Sequence, residues 1–232
     1  GDLVVALERK SLDYRMARYR GGRLARGVAP SQVVIVAVDE ASLERLGRFP
    51  LWPRAYHARL LDSLTAKGAG AVAFDLLFTE PDTLPEAVRA VRAAEISART
   101  GADAAQVDAL LSAAGSDAAF AEALRHSGRT VLAADPVSGS FPLPELAAVA
   151  AGVGHVDLSP DPDGMLRRAR GRALPGDTLP PLAWAAAAVA GAQTALPSPA
   201  DDPLLDFLGP RGTFLTLSYA DVLEGRVDGS LI

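Results

Sequence analysis

The sequence predicts an α/β protein with a three-layer-like mixed sheet, and three observations lead to that prediction. Apolar, β-branched runs typical of buried strands occur at 33–38, 71–78 and 129–134. Segments with helical periodicity separate these runs, and such alternation gives parallel strands joined by right-handed crossovers. The 232 residues are 49% hydrophobic and 22% charged, which suits a globular domain with a substantial core. We therefore expect the three strands to be parallel and adjacent in one sheet.

The helices of this unit follow from periodicity and from glycines that end them. Residues 53–66 place four side chains on one helical face, namely His57, Leu60, Leu61 and Leu64. A second helix is predicted over 116–128, where Gly128 ends it before the third strand. The Ala-rich stretch 83–115 is weakly periodic and predicts a helical excursion on the second crossover.

The second half of the chain has a different pattern. Residues 154–174 predict an antiparallel hairpin with Asp163 and Gly164 in its turn. Residues 179–191 are apolar on all sides, which predicts a buried helix that begins at its prolines. Short C-terminal strands are expected at 203–209 and 213–218, followed by a short helix at 219–228.

The N-terminal residues stand apart from this unit. Residues 3–20 predict a helix with Leu12, Met16 and Tyr19 on one face, and a polar linker follows. We therefore divide the chain into a helix with its linker at 1–29 and a globular domain at 30–232. The apolar stripe is too narrow to anchor a core but suits packing against the same helix of a second copy or along the neighbouring subunit. The alternative is that the helix docks on its own domain.

The candidate ligand site lies at the carboxyl ends of the predicted strands. Asp39 and Asp75 each end an apolar run, and open parallel sheets bind ligands at this edge. The connection "FPLWPR" brings Trp52 and Arg54 to the same edge, with prolines that restrict its backbone. The alternatives are that the two aspartates cap the turns that follow them and that Trp52 fills the core.

Arg167 is the fifth candidate ligand-binding residue. Strand alternation places Arg168, Arg170 and Arg172 on one face, whereas Arg167 shares the other face with small and apolar residues. A buried Arg167 needs a carboxylate or an anionic ligand as its partner. A structural ion pair is therefore the alternative to ligand binding at this position.

Several functional classes find no support in the residues. Without cysteine the chain has neither disulfides nor thiolate metal sites, and its net charge of −5 argues against a nucleic-acid surface. The stretch "GAGAV" ends a helix instead of opening one, so it is not a dinucleotide-binding loop. The histidines lack metal-ligand spacing, and "SPDPDG" lacks the acidic residue that closes a calcium loop. We predict no catalytic residue, no metal and no cofactor.

The order of motifs resembles a known family. The run 33–82, with "VDEASL" and "FDLLFTEPD", is similar to the CHASE-type extracellular sensory domain of the second kind. Further stretches fit the same pattern in order: "DAAFAEALRHSGRTVLA", "GHVDLSPDPDGMLRR", "LPPLAWAAA" and "LSYADVLEGRVD". One departure is Leu51, which interrupts the Pro-Trp-Pro-Arg type run of the family and leaves Pro53 and Arg54 in place.

The resemblance implies a signal-input domain outside the cell membrane of a bacterial receptor. It implies membrane helices before Gly1 and after Ile232, a further strand after Ile232, and a cytoplasmic nucleotide cyclase, histidine kinase, diguanylate cyclase or Ser/Thr kinase. Because nucleotide cyclases and histidine kinases of this kind act as dimers, we expect a homodimer that responds to an unidentified small molecule or physical stimulus. Two alternatives stay open: a metal-dependent hydrolase that uses Asp39 and Asp75, and a structural dimerisation module.

Overall fold

A computed structural model of the chain describes residues 9–14, 33–49, 52–82, 86–107, 116–158, 160–169, 171, 173–176, 178–192, 202–205, 207–208 and 212–232. Within these ranges the strands are β1 (Val34–Ala37), β2 (Val72–Phe74), β3 (Thr130–Ala134), β4 (Gly152–His155) and β5 (Leu215–Ser218). The helices are α1 (9–14), α2 (Glu40–Leu46), α3 (Arg54–Ala66), α4 (Glu86–Thr100), α5 (Ser116–Ser127), α6 (Pro144–Ala147), α7 (Leu182–Val189) and α8 (Tyr219–Leu223), with further single helical turns at 104–107 and Gly229–Leu231.

Every ladder between these strands is parallel, which confirms the predicted α/β class. Strands β2, β3 and β4 form one sheet in that order, with Phe74 opposite Leu132 and Leu132 opposite Val153. The predicted parallel pairing of the second and third strands is thus confirmed, with somewhat shorter strands than the sequence suggested.

Strand β1 is the exception to the predicted single sheet. It pairs with β5 in a separate two-stranded sheet, in which Ile35 lies opposite Thr216. Ile35 is 44% exposed, so β1 is not buried on both faces as its apolar run suggested. Hydrophobic pattern identifies a strand but not its partner, and neighbours in sequence pair only about two-thirds of the time.

The predicted hairpin over 154–174 is also corrected. Its first residues belong to β4 and pair in parallel with β3, and Arg168 bridges Leu204 in antiparallel orientation. The turn itself is present: the amide of Gly164 donates to the carbonyl of Asp161, and Gly164 has a φ of 78°. Turn residues act locally, whereas the two arms find their partners elsewhere in the fold.

The β2–β3–β4 sheet carries helices on both faces. Helices α3 and α5 pack together on one face, where Leu61, Phe74, Phe120, Leu124 and Leu132 lie in the buried core. Helix α7 covers the opposite face, and a Cβ at Gly154 would lie 2.5 Å from the Cα atom of Leu182, the first residue of α7.

Helix α7 is less buried than its apolar sequence suggested, because no residue of Leu182–Val189 is fully buried. Alanines make the helix apolar on all sides without giving it bulk to bury. The three layers therefore hold their main core on the α3–α5 side of the sheet.

Candidate functional site

Asp39 lies at the carboxyl end of β1 and caps helix α2. Its carboxylate accepts hydrogen bonds from the backbone amide of Ser42 at 2.9 Å and from the hydroxyls of Ser42 and Ser218 at 2.5 and 2.9 Å. The Ser42 hydroxyl holds the pKa of Asp39 below its usual range, against the opposing effect of burial. Asp39 thus joins the start of α2 to the end of β5, which is the capping role weighed as the alternative to ligand contact.

Trp52 lies in the core, with 3% of its surface exposed. Its indole Nε1 donates to the carbonyl of Gly47 at 2.8 Å, and its ring centroid lies 5.3 Å from that of Phe49 and 4.9 Å from that of Tyr219. The side chain of Trp52 therefore lies in the core and packs the connection "FPLWPR" against helix α8.

Arg54 begins helix α3 and holds the loop that follows β2. Its backbone amide donates to Asp82 at 2.7 Å, and its Nη2 donates to the carbonyl of Glu80 at 2.9 Å. Its Nε lies 3.3 Å from the carboxylate of Asp117 without hydrogen-bond alignment, and its guanidinium stacks 4.6 Å from the ring centre of Phe78.

The same loop is tied to the start of α5. Asp82 accepts from the hydroxyl of Ser116, and its amide donates to Asp117 at 2.7 Å. The loop "FTEPD" is therefore hydrogen-bonded to the first turns of both α3 and α5. The motif that carries much of the family resemblance thus has a structural role here.

Asp75 is exposed at the end of β2. The hydrogen-bond partners of Asp39, Trp52 and Arg54 are separate sets of residues, so these contacts do not join the candidates into one site. Across the described ranges, no group of three or more His, Cys, Asp or Glu side chains is arranged to hold a metal ion. Ligand binding by Asp39, Trp52, Arg54 and Asp75, and hydrolysis through the two aspartates, stay predictions.

A buried histidine lies at the centre of the aromatic core. His57 is 2% exposed, and its Nδ1 shares a 2.8 Å hydrogen bond with the hydroxyl of Tyr219. The rings of Phe74, Phe78 and Phe120 surround it at 5.2 to 6.0 Å between centroids. Burial, followed by the charge of nearby Arg54, lowers the pKa of His57 to about 4, so its imidazole is neutral at pH 7. Burial likewise raises the pKa of Tyr219.

Arg167 forms the densest polar cluster in the described part of the chain. Only 3% of its side chain is exposed. Its Nε and Nη2 donate to the two carboxylate oxygens of Asp13 at 2.8 and 2.7 Å. Its Nη1 donates to Asp161 and Asp163 at 2.7 and 2.8 Å, and its Nη2 also donates to Asp163 at 2.8 Å. A guanidinium has five N–H donors, so all of them are used.

Arg167 favours the charged forms of Asp13 and Asp163, and the carboxylates favour the charged form of Arg167. Hydrogen bonds from Arg167 lower the pKa of Asp13 and, to about 2, that of Asp163, while the carboxylates raise the pKa of Arg167. Arg9 adds a looser contact, its Nε lying 3.9 Å from Asp161. Asp13, Asp163 and Arg167 are thus ionised at neutral pH, and the cluster is the carboxylate-paired arrangement that a buried Arg167 requires.

The cluster also positions the N-terminal helix. Asp13 belongs to α1, whereas Asp161 and Asp163 belong to the turn after β4, so Arg167 fastens α1 to the globular domain. Leu12 is half-buried beside it. Met16 and Tyr19, which complete the predicted stripe, lie outside the described residues.

The sequence offered uneven signals for these partners. Asp163 stands four residues before Arg167, and Asp39 stands three before Ser42, so both pairings are recognisable as local patterns. Asp13 lies 154 positions from Arg167, and nothing in the sequence links the two.

None of the described helices is long and apolar enough to cross a lipid bilayer. Comparison with curated proteins and with solved structures finds no match. A family model described as the CHASE2 domain matches residues 2–231, essentially the whole chain. That family consists of extracellular sensory domains, and a sensory role outside the cytoplasm is consistent with membership of it. The chain therefore belongs to the CHASE2 domain family.

Proposed function

We propose that this chain is the signal-input domain of a bacterial membrane receptor and that helix α1 carries its output. The receptor spans the membrane through helices that flank the domain. It regulates a cytoplasmic nucleotide cyclase, histidine kinase, diguanylate cyclase or Ser/Thr kinase.

The single observation that carries this proposal is the contact between Asp13 and Arg167. An input domain acts on its effector only through the segments that lead to the membrane, so one of those segments must be sensitive to the state of the domain. Helix α1 is joined to the domain by a two-pronged ion pair that involves a buried guanidinium. A contact of this kind couples the position of α1 to that of the turn at 161–163.

The test is made in the full-length receptor, with the product of its effector domain as the readout. Asp13→Asn weakens the contact between α1 and the domain, and Arg167→Gln removes it. Both substitutions should shift effector output in the same direction. Arg168→Gln is the matched control, because Arg168 is the neighbouring arginine and donates to the backbone carbonyl of Asp202. Output that is the same in all three variants and in the unaltered receptor would refute the proposal.

A thermal-shift screen of the chain against metabolites and metal ions addresses the stimulus. A ligand at a hundred times its dissociation constant stabilises the folded state by about 2.7 kcal/mol, which a melting curve detects easily. A sensor should show ligand-dependent melting without turnover. A hydrolase should bind Mg²⁺ or Mn²⁺ and cleave a generic phosphoester, and a purely structural module should do neither.

A further inference from the structure

The guanidinium of Arg167 has two edges with different partners. Asp161 and Asp163, which lie in the turn just before Arg167, hold both Nη1 donors and one Nη2 donor. The remaining edge, made of Nε and the other Nη2 donor, faces only Asp13 among the described residues. The domain thus holds Arg167 through one edge of its guanidinium and leaves the other edge to Asp13 of α1.

That edge has the geometry of a carboxylate receptor. Two parallel N–H donors of an arginine match the two oxygens of a carboxylate, and such pairs are directional as well as strong. The Asp13 carboxylate occupies it with distances of 2.8 and 2.7 Å. The side chain of Asp13 is 36% exposed, whereas that of Arg167 is 3% exposed, so solvent reaches the pair from the Asp13 side.

We infer that the Nε–Nη2 edge of Arg167 is a binding site for a carboxylate ligand, and that Asp13 fills it in the ligand-free domain. A carboxylate from solution takes the place of Asp13 with no change in the charge of the cluster. Asp161 and Asp163 keep Arg167 in position during the exchange. Asp13 is tethered, so the ligand competes with a local concentration on the order of millimolar or higher.

Displacement of Asp13 frees helix α1 from its main polar contact, leaving the longer Arg9–Asp161 approach of 3.9 Å. The use of this exchange as a signal rests on the proposed sensory function. Binding of a carboxylate at Arg167 does not, and it is tested separately on the chain alone.

The binding test is a chemical rescue with sodium acetate, compared with sodium chloride at equal ionic strength. Asp13→Ala removes the carboxylate and leaves room for acetate, whereas Asp13→Asn keeps the space filled by an amide. The double variant Asp13→Ala with Arg167→Gln lacks the receptor itself. Circular dichroism of each variant confirms that the fold is retained before its melting temperature is compared.

Acetate should raise the melting temperature of Asp13→Ala saturably, by about 3 °C at ten times its dissociation constant. The Asp13→Asn protein and the double variant should show no such shift. In ¹⁵N spectra of Asp13→Ala, acetate should also move the Nε–H resonance of Arg167. Equal shifts in all three variants, or none in Asp13→Ala by either measurement, would overturn the assignment.

The displacement is tested with a spin label on Tyr14→Cys. Tyr14 is 63% exposed and the chain has no native cysteine, so labelling is specific. Acetate should increase the mobility of the label in the otherwise unaltered chain and leave it unchanged when Arg167→Gln is also present. A label that stays immobile while the rescue succeeds would overturn the displacement step, and effector output in the receptor is a separate measurement.

Discussion

Acidification from pH 7.5 to pH 4 should destabilise this domain through His57, the histidine buried among phenylalanine rings. In the unfolded chain its pKa is close to 6.5, whereas burial lowers its pKa in the folded state to about 4. Between these values the unfolded chain binds more protons than the folded one, so stability falls as the pH falls. The stability that the domain gains from keeping His57 neutral is fully present above pH 6.5 and is lost once the pH falls below 4.

The size of the effect follows from the two pKa values. One pKa unit corresponds to about 1.4 kcal/mol, so the full difference is roughly 3 kcal/mol. Linkage places about 2 kcal/mol of this loss between pH 7.5 and pH 5, with most of the rest between pH 5 and pH 4. Such a change is a large part of the stability of a typical domain.

The assay is urea denaturation at pH 7.5, 6, 5 and 4, followed by circular dichroism. The reference protein is the double variant His57→Phe with Tyr219→Phe, which replaces both partners of the 2.8 Å hydrogen bond by apolar rings of similar size. All other titratable groups are common to the two proteins, so their contributions cancel in the difference. A difference between wild type and variant that does not change with pH would refute the reasoning.

Three further predictions concern packing, capping and assembly. Gly154→Ala should destabilise the domain by about 1–3 kcal/mol, because the added Cβ would meet the backbone of α7. Gly152→Ala is the control and should be tolerated, because its added Cβ would lie 3.9 Å from the nearest atom. Equal denaturation midpoints for the two variants would contradict this. Asp82→Ala should lower the free energy of unfolding by about 1 kcal/mol, because it removes the carboxylate that accepts from the backbone amide of Arg54 at the start of α3. An unchanged urea midpoint would show that this hydrogen bond contributes nothing to stability. Replacing Leu12 and Met16 together by Glu should weaken self-association of the intact receptor in cross-linking. Unaltered association would argue against the homodimer.

Much of the fold was predictable because its signals are local. The helix at 53–66 was recognisable from the spacing of its apolar residues, and three of them are buried at 5% or less: Leu60, Leu61 and Leu64. The apolar runs around β2 and β3 likewise identified neighbouring parallel strands. Periodicity reports which residues avoid water over a few turns, and these elements depend on little else.

The pairing of β1 with β5 and the occupant of Arg167 were not predictable in the same way. Both join residues that are far apart in the sequence, and neither leaves a periodic trace. A buried arginine requires a carboxylate partner, but its own position does not identify that partner. The sequence therefore predicted the kind of group that pairs with Arg167 but not that the group belongs to Asp13. For Trp52 and Arg54 the position was predictable but the role was not, because residues of a loop at a sheet edge can either contact a ligand or pack into the core.

The pairing of β1 with β5 also bears on how the domain folds. Because these strands come from opposite ends of the globular unit, their contacts close a loop that contains nearly all of it. Contacts of such long sequence separation slow folding, since the entropy of loop closure is lost before the contacts compensate for it. During synthesis β1 leaves the ribosome long before β5, so it has no strand to pair with until β5 is made. During that time Ile35 and the unpaired edge of β1 are open to other chains, so the domain is most exposed to aggregation while it is still incomplete.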